Sequence, residues 1–474
     1  MNATTAQPTI EADIDRIFQL QKAHQFQIAN ATARDRIAKL RKLHEAVLRY
    51  RTDFKGALSR DFQKHPSEVD ITEILPVTSE IKHAKNNLRR WMSPQKAPTP
   101  FSLFGGRSWI QYEPKGVVLI ISPWNFPLNL TFGPLVSAIA AGNCVFLKPS
   151  EHTPNAAALM KKIIGEIFDE KEVVLFEGDA VVSQTLLKLP FNHIYFTGAP
   201  AIGKIVMEAA AKHLASVTLE LGGKSPTIID ETANLSAAAA RTAWGKFVNT
   251  GQVCLAPDYV FVHETKKEEF VELVRQKIKE FYGDEVAGSA NYCRMVNNRH
   301  FARVKGYVDE AVAKGAKIEV GGKFDGGQDY IEPTLVSNVD RNSRLMQEEI
   351  FGPVLPVITF KNLQEPIDFV NSGEKPLALY IFSKSRKNIK RILKNTRAGG
   401  SCINQNVVHY NNLHLPFGGS NNSGIGKGHG RFGFEAFSNA RAIYQQVLPS
   451  AVDLLMPPYN NFKQKLIDWT IRWL

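Results

Sequence analysis

Two hydrophobic periods alternate along this chain, and the places where one yields to the other mark its organisation. Over the first hundred residues apolar positions recur at helical spacing. Ile10, Ile14, Ile17 and Phe18 share one face, and Ile37, Leu40, His44 and Val47 share the next. The Pro-rich piece from Pro94 to Pro100 and the glycines at 105 and 106 break that pattern, and Trp109, Gln111 and Glu113 sit in a short extended stretch. Apolar runs then follow at Val117–Ile121, Cys144–Leu147, Val173–Phe176 and His193–Phe196. Each precedes a helix-like segment, roughly over 128–141, 155–168, 180–189 and 201–212, and Val217–Leu219 opens another run. Uninterrupted apolar runs separated by amphipathic helices predict a parallel sheet covered on both faces. Sheets wound in this way bind ligands beyond the carboxyl ends of their strands.

After Gly222-Gly223 the alternation restarts with Thr227–Ile229, Tyr259–His263, Lys317–Val320, Val354–Phe360 and Leu379–Phe382. The expected fold class is therefore α/β, with two doubly wound parallel-sheet domains, as befits 474 residues. The Gly-rich piece from Gly418 to Gly433 reads as a long ordered loop. The last residues, Phe462 to Leu474, form an amphipathic cationic segment too short to span a bilayer. That tail suits a membrane surface, the protein's own body or a second subunit.

Composition narrows the partners. The 58 basic and 46 acidic residues leave a formal charge of +12, yet much of it is interleaved with acids, as in Glu264–Glu269. No nucleic-acid-binding motif accompanies the charge, so nucleic acid is not an expected partner. Gly116 to Leu147 carries no charge, but Pro123, Asn125, Pro127, Asn129, Pro134 and Asn143 interrupt it, and it reads as buried strand, turn, helix and strand. Four dispersed cysteines without a CxxC pair argue against a zinc site or disulfide scaffold and for a reducing, cytoplasmic location. The N-terminus lacks an apolar signal core.

Several positions carry candidate chemistry. Cys254 ends a small, turn-forming piece ahead of a strand, where a thiol can face a crevice or be an inert core residue. Cys144, Cys293 and Cys402 take the core reading. Glu220 follows Val217–Leu219 beside the Gly pair and suits a general base or a salt-bridged acid. Asn125, in Ser122–Pro127, suits an oxyanion donor or the stay of a Pro-rich turn. The turn from Phe196 to Gly203 joins strand to helix with glycines spaced GxxxxG, which offers helix N–H groups to a pyrophosphate but is not the GxGxxG fingerprint.

Taken together, seven segments in order resemble the aldehyde dehydrogenase superfamily: SPWNFP at 122–127, LKPSE at 147–151, FTGxxxxG at 196–203, LELGGKSP at 219–226, GQVC at 251–254, EEIFGPV at 348–354 and PFGG at 416–419. The ending FGGSNNSGIGKGHGRFGFEAFSN, followed by LMPPY, looks like the class 3 branch of fatty and aromatic aldehyde dehydrogenases. The resemblance implies oxidation of an aldehyde to the acid through a cysteine thiohemiacetal and thioester. Cys254 would be the nucleophile, Glu220 the base, and Asn125 with the Cys254 N–H the oxyanion donors. It further implies an NAD site, with NADP as the alternative. Lys148 and Glu151 would hold the adenosine ribose and Gly198 to Gly203 would lie under the pyrophosphate. Glu349 would bind the nicotinamide ribose, with Phe351 and Trp124 lining the channel and Asn404 near the active site. No metal is implied. Ala199 departs from the family, which usually has a polar side chain there.

The domain division implied is 1–219 for the cofactor domain, with about 99–113 in a bridging arm, and 220–404 for the catalytic domain. A return segment, oligomerisation strand and tail would follow over 405–474. A homodimer and a medium-chain, long-chain or aromatic aldehyde are expected on the same ground. The alternatives are a coenzyme A-acylating or semialdehyde-specific enzyme, a cysteine hydrolase, or a non-catalytic membrane-associated protein.

Overall fold

A computed structural model describes residues 9–473. Helices Ile10–Ala29, Ala33–Arg49 and Arg51–Phe62 open the chain, and a longer helical run, Pro66–Met92, follows. Thr32 caps the second helix in a reciprocal pair with Asp35, satisfying N–H groups that the helix start leaves open. Ile14, Ile17 and Phe18 are buried as their spacing predicts, whereas Ile10, in the first turn, remains exposed.

The first sheet has six strands: β3 (Val117–Ile121), β4 (Cys144–Lys148), β5 (Val173–Leu175), β6 (His193–Gly198), β7 (Ser216–Leu221) and β17 (Gly424–Ile425). Their order is β17-β7-β6-β3-β4-β5, parallel except for the edge strand β17. Both faces are covered. Val117, Leu119 and Ile121 enter one core cluster, while Val118 and Ile120 enter another on the opposite side. An alternating strand with no polar face is what a sheet sandwiched between helices requires.

The second sheet has seven strands, all from residues 226–403: β8 (Pro226–Ile229), β9 (Tyr259–His263), β10 (Lys317–Val320), β13 (Thr334–Ser337), β14 (Val354–Phe360), β15 (Ala378–Phe382) and β16 (Gly400–Ile403). Only β10 is antiparallel to its neighbour. Between them, β11 (Phe324–Asp325) and β12 (Tyr330–Ile331) form a small hairpin. A three-stranded antiparallel arm joins β1 (Gln95–Ala97), β2 (Gly106–Pro114) and β18 (Ser438–Gln446).

Three expectations need correction. The strand expected over Val217–Leu219 runs through Leu221, so Glu220 lies inside β7, opposite Gly424, rather than after it. The parallel sheets each carry an antiparallel edge strand. The piece from Gly418 to Gly433 is not all loop, because it holds β17 and the start of a helix, Gly430–Ala436.

The tail forms a helix, Asn461–Trp473, with no buried residue. Phe462, Trp469, Ile471 and Trp473 face solvent, while Leu466 and Ile467 are half-buried. Among the described residues no helix is long and apolar enough to cross a membrane.

One buried cation ties the opening helices to the first sheet. Arg36 donates to the carbonyls of Ala29, Ala31, Ala140 and Ala141, at the end of helix Pro127–Ala141. Gly142 closes that helix at φ +90°, and a Cβ there would fall 2.5 Å from the guanidinium carbon. Arg36→Met removes these charged hydrogen bonds and leaves buried carbonyls unpaired. It should lower the stability of the protein by about 2 kcal/mol or more, read as a fall in the thermal unfolding midpoint. An unchanged midpoint would show that the carbonyls find other partners.

Candidate active site

The carboxyl end of β7 and the starts of β8, β9 and β15 border one crevice, and a strained turn delivers the thiol into it. Helix Leu235–Phe247 ends in the turn Val248–Gly251, where Asn249 and Thr250 adopt φ of 53° and 52°. Non-glycine residues rarely adopt this left-handed region, which costs on the order of 1–3 kcal/mol each. Gly251 follows at φ +71°, and a Cβ on it would lie 2.3 Å from the Gly352 carbonyl oxygen. Only glycine allows the approach.

Hydrogen bonds hold the turn. The Asn249 side-chain amide donates to the carbonyls of Asn125 (3.0 Å) and Gln252 (3.1 Å). The Gln252 amide donates to the carbonyls of Asn249 and Arg294, and its oxygen accepts the Val296 N–H. Thr250 donates to the Cys293 carbonyl. Cys254, three residues past the turn, is the one cysteine that is not fully buried; Cys144, Cys293 and Cys402 are core residues.

Two cavities meet at Cys254. One, of about 180 Å³, has walls from Leu75, Pro76, Leu130, Leu377 and Phe417 and is mostly apolar. The other, of about 860 Å³, runs past Trp124, Asn125, Gly198, Glu349 and Phe351. Glu220 and Cys254 line both.

Burial sets the charge states. It pushes the Glu220 carboxyl up to about 8, against the opposing pull of the Lys427 ammonium and the Tyr195 hydroxyl, 3.3 Å from Oε1. Glu349 rises to about 8 through burial and the nearby Asp258 charge. The Cys254 thiol is pushed up to about 12 by burial first, and then by Glu349 and Glu220. An apolar crevice with no cation against the sulfur favours the neutral thiol.

Asn125 is buried, and its amide donates to the Gln252 carbonyl at 3.0 Å, which leaves its second amide hydrogen for another acceptor. Trp124 stands edge-on to Phe351, ring centroids 5.3 Å apart. Glu349 packs so closely over Gly222 that a Cβ there would fall 2.0 Å from its carboxylate, and Glu349 Oε1 is buried without a partner. Gly198 ends β6, and the helix Pro200–Ala211 begins with Ala199 as an N-cap that makes no side-chain bond. An uncapped helix start keeps its N–H groups for an anion. An orphaned carboxylate oxygen, a bare helix start and a long groove together fit a dinucleotide with hydroxyls and a pyrophosphate.

Not every expected residue joins them. Lys148 is buried at the end of β4, its ammonium 2.7 Å from the Pro149 carbonyl and 3.7 Å from the half-exposed Glu151. Neither lines the larger cavity. Gly203 lies inside its helix, where a Cβ would meet Leu221 at 2.7 Å, so its absent side chain serves helix–strand packing. Asn404 exchanges hydrogen bonds with the Ser383 backbone and lines neither cavity. Conversely, Tyr195, Tyr410 and His429 line the smaller cavity unforeseen. Tyr195 hides in an apolar strand, where its sequence signal is that of a core residue.

The sequence matches the aldehyde dehydrogenase family over residues 2–443. It is 43% identical to the 4,4'-diaponeurosporen-aldehyde dehydrogenase of Staphylococcus aureus, covering 89% of this chain and 91% of that one. It is 40% identical to aldehyde dehydrogenase family 3 member A2 of Rattus norvegicus, over 92% of this chain and 89% of that one. The fold is similar to the substrate-bound Staphylococcus aureus AldH structure, with TM-score 0.93 and 40% identity over 97% of this chain and 99% of that one. The chain belongs to the aldehyde dehydrogenase family, and its activity is the NAD(P)-dependent oxidation of an aldehyde.

A thiol held near 12 is alkylated slowly at neutral pH. In the ligand-free protein the iodoacetamide reaction at Cys254, followed by peptide mass spectrometry, should climb with pH and show no plateau below pH 10. A plateau near neutrality would mean that a cation not seen beside the sulfur stabilises the thiolate.

Proposed function

We propose that Cys254 is the nucleophile, Glu220 the general base, and Asn125 with the Cys254 N–H the oxyanion donors of this aldehyde oxidation. The observation that carries the reading is that the two cavities meet at Cys254 and that Glu220 lines both. An aldehyde lying in the smaller cavity presents its carbonyl carbon to the sulfur. Attack makes that carbon tetrahedral and places negative charge on oxygen, where the free Asn125 hydrogen and a backbone N–H offset it. Glu220, neutral or charged in turn near its pKa, takes the thiol proton or later that of water. Nicotinamide, when bound in the larger cavity, supplies the acceptor for the electron pair released with the aldehyde hydrogen. Water directed by Glu220 then cleaves the Cys254 thioester, and the thiolate leaves. An acid at position 220 favours hydrolysis over transfer of the acyl group to coenzyme A.

For the cofactor we propose Glu349 at the nicotinamide ribose, Trp124 and Phe351 along the channel, Gly198 and Gly203 at the pyrophosphate turn, and Lys148 with Glu151 at the adenosine ribose. Glu151 supports NAD over NADP, because a carboxylate accepts from a ribose 2′-hydroxyl and repels a 2′-phosphate. The apolar walls of the smaller cavity support a medium-chain, long-chain or aromatic aldehyde. We further propose a cytoplasmic homodimer. Its cofactor domain would be 1–219, its catalytic domain 220–404, and its return segment, oligomerisation strand and tail 405–474.

Stopped-flow NADH formation with a panel of aliphatic and aromatic aldehydes tests the roles. Wild type should give a burst, Cys254→Ala none, and Glu220→Gln a burst followed by stalled turnover. Steady-state turnover limited by deacylation should rise with pH along a limb near 8, because the base works deprotonated, and Glu220→Gln should lose that limb. A Cys254→Ala enzyme that keeps its burst would remove the nucleophile from this reading. Separately, Glu151→Ser should improve kcat/KM for NADP relative to NAD by about tenfold, roughly 1.4 kcal/mol of lost repulsion. An unchanged ratio would place the discrimination elsewhere.

A further inference from the structure

The helical run Pro66–Met92 has one irregularity, a π-turn at Asp70–Ile74, where the Leu75 N–H reaches back to the Asp70 carbonyl. In an α-helix, positions five apart point about 140° away from each other. A π-turn closes over five residues instead of four, so such positions come onto one face. Glu68 and Glu73 are separated in this way, and the ammonium of Lys64 pairs with Glu73. Lys64 lies 3.3 Å from Glu73, with both side chains fully buried, and its charge also acts on Glu68.

The buried Lys64–Glu73 pair grips the loop that holds Asn125 at two points, and the half-buried Glu68 reaches it through Asn249. Glu73 Oε2 accepts the Asn129 N–H at 2.9 Å, in the first turn of helix Pro127–Ala141. The Lys64 ammonium stands 4.3 Å over the ring of Phe126, next to Asn125 in sequence. Glu68 Oε1 accepts the Asn249 N–H at 3.0 Å, and the Asn249 side chain in turn donates to the Asn125 carbonyl at 3.0 Å. A buried ion pair with a second, half-buried carboxylate near it is costly to keep unless the arrangement fixes something. The left-handed Asn249 is what needs fixing, because its N–H points away from its own chain and toward Glu68.

We infer that Glu68 is a positioning residue for the oxyanion site, holding Asn125 in place through the Asn249 turn, an inference that rests on the proposed role of Asn125. The Lys64 charge acts on the carboxylate that does this, and the π-turn sets Glu68 and Glu73 toward the same side.

The test measures the NADH burst rate constant and the NAD affinity, the latter by fluorescence titration, in Glu68→Ala, Glu68→Gln, Glu68→Asp, Asn125→Ala and the Glu68→Ala/Asn125→Ala double variant. Glu68→Ala should slow the burst by about tenfold, the scale of one charged hydrogen bond, with NAD affinity within about twofold of wild type. Glu68→Gln keeps an acceptor at the same reach and should recover most of the rate. Glu68→Asp keeps the charge beside Lys64 but shortens the reach, so it should be slow; it serves too if the alanine variant does not fold. The double variant should be no slower than Asn125→Ala alone, because the two residues act through one interaction. Additive losses, a glutamine variant as slow as the alanine one, or an unchanged burst in Glu68→Ala beside a slow Asn125→Ala would each overturn the inference. A normal burst in Asn125→Ala would instead overturn the proposed oxyanion role, and this inference with it.

Discussion

The turn from Val248 to Gly251 must stand in a conformation its residues resist, and the active-site crevice depends on it. Asn249 and Thr250 are left-handed without being glycine, and Thr250 is β-branched as well. Together the two positions cost about 2–6 kcal/mol of backbone strain. Side-chain amides of Asn249 and Gln252, the Thr250 hydroxyl and the Glu68 carboxylate offset that strain by filling every direction in which the turn can relax. Gly251 completes the constraint by letting the backbone of Gly352 come close. The same approach brings the segment carrying Glu349 and Phe351 up against the segment carrying Cys254, and the larger cavity forms between them.

Desolvation is the second consequence of that close packing. Glu220, Glu349 and Cys254 are all pushed toward their neutral forms, chiefly by burial, and the two carboxylates further oppose ionisation of the thiol. A crevice holding three ionised groups would be unstable, whereas one holding at most one or two is not. Proton movement between Glu220 and Cys254 is then nearly neutral in charge, which suits the proposed exchange of roles. Lys427 moderates Glu220 without neutralising it, since its ammonium is committed to the carbonyls of Gly418 and Gly419.

Much of this was legible in the chain, for identifiable reasons. Runs such as Val117–Ile121 and Tyr259–His263 were read correctly because strands buried on both faces are apolar without interruption. Strands β13 (Thr334–Ser337) and β16 (Gly400–Ile403) were not, because four residues with polar ends, or a leading glycine, carry too little pattern. Glu220 was placed past its strand because a charged residue ordinarily ends an apolar run, and here the charge is buried within one. Cys254, Asn125 and Glu349 are singled out by the segments around them, not by spacing, and the structure brings all three to the larger cavity. Tyr195, Glu68 and Lys64 escape a reading of the sequence because their placement comes from contacts between distant segments. Lys64 lies in the short connection before the helical run, and only the fold shows it paired with Glu73, which the π-turn sets on the same side as Glu68.

The two cavities differ in ways that match different demands. The larger one is lined by charged and polar groups, which suits a ligand bearing hydroxyls and phosphates. The smaller one offers chiefly hydrocarbon, and it discriminates by shape and dehydration rather than by paired charges. Hydrocarbon walls distinguish substrates that differ by one methylene only weakly, about 1–3 kcal/mol. Under the proposed reading, such walls would admit a range of aldehydes, whereas the polar partners proposed for the cofactor would set the narrower site. Specificity in this protein is then unevenly distributed: strict where backbone turns and carboxylates set the geometry, and permissive where side chains merely exclude water.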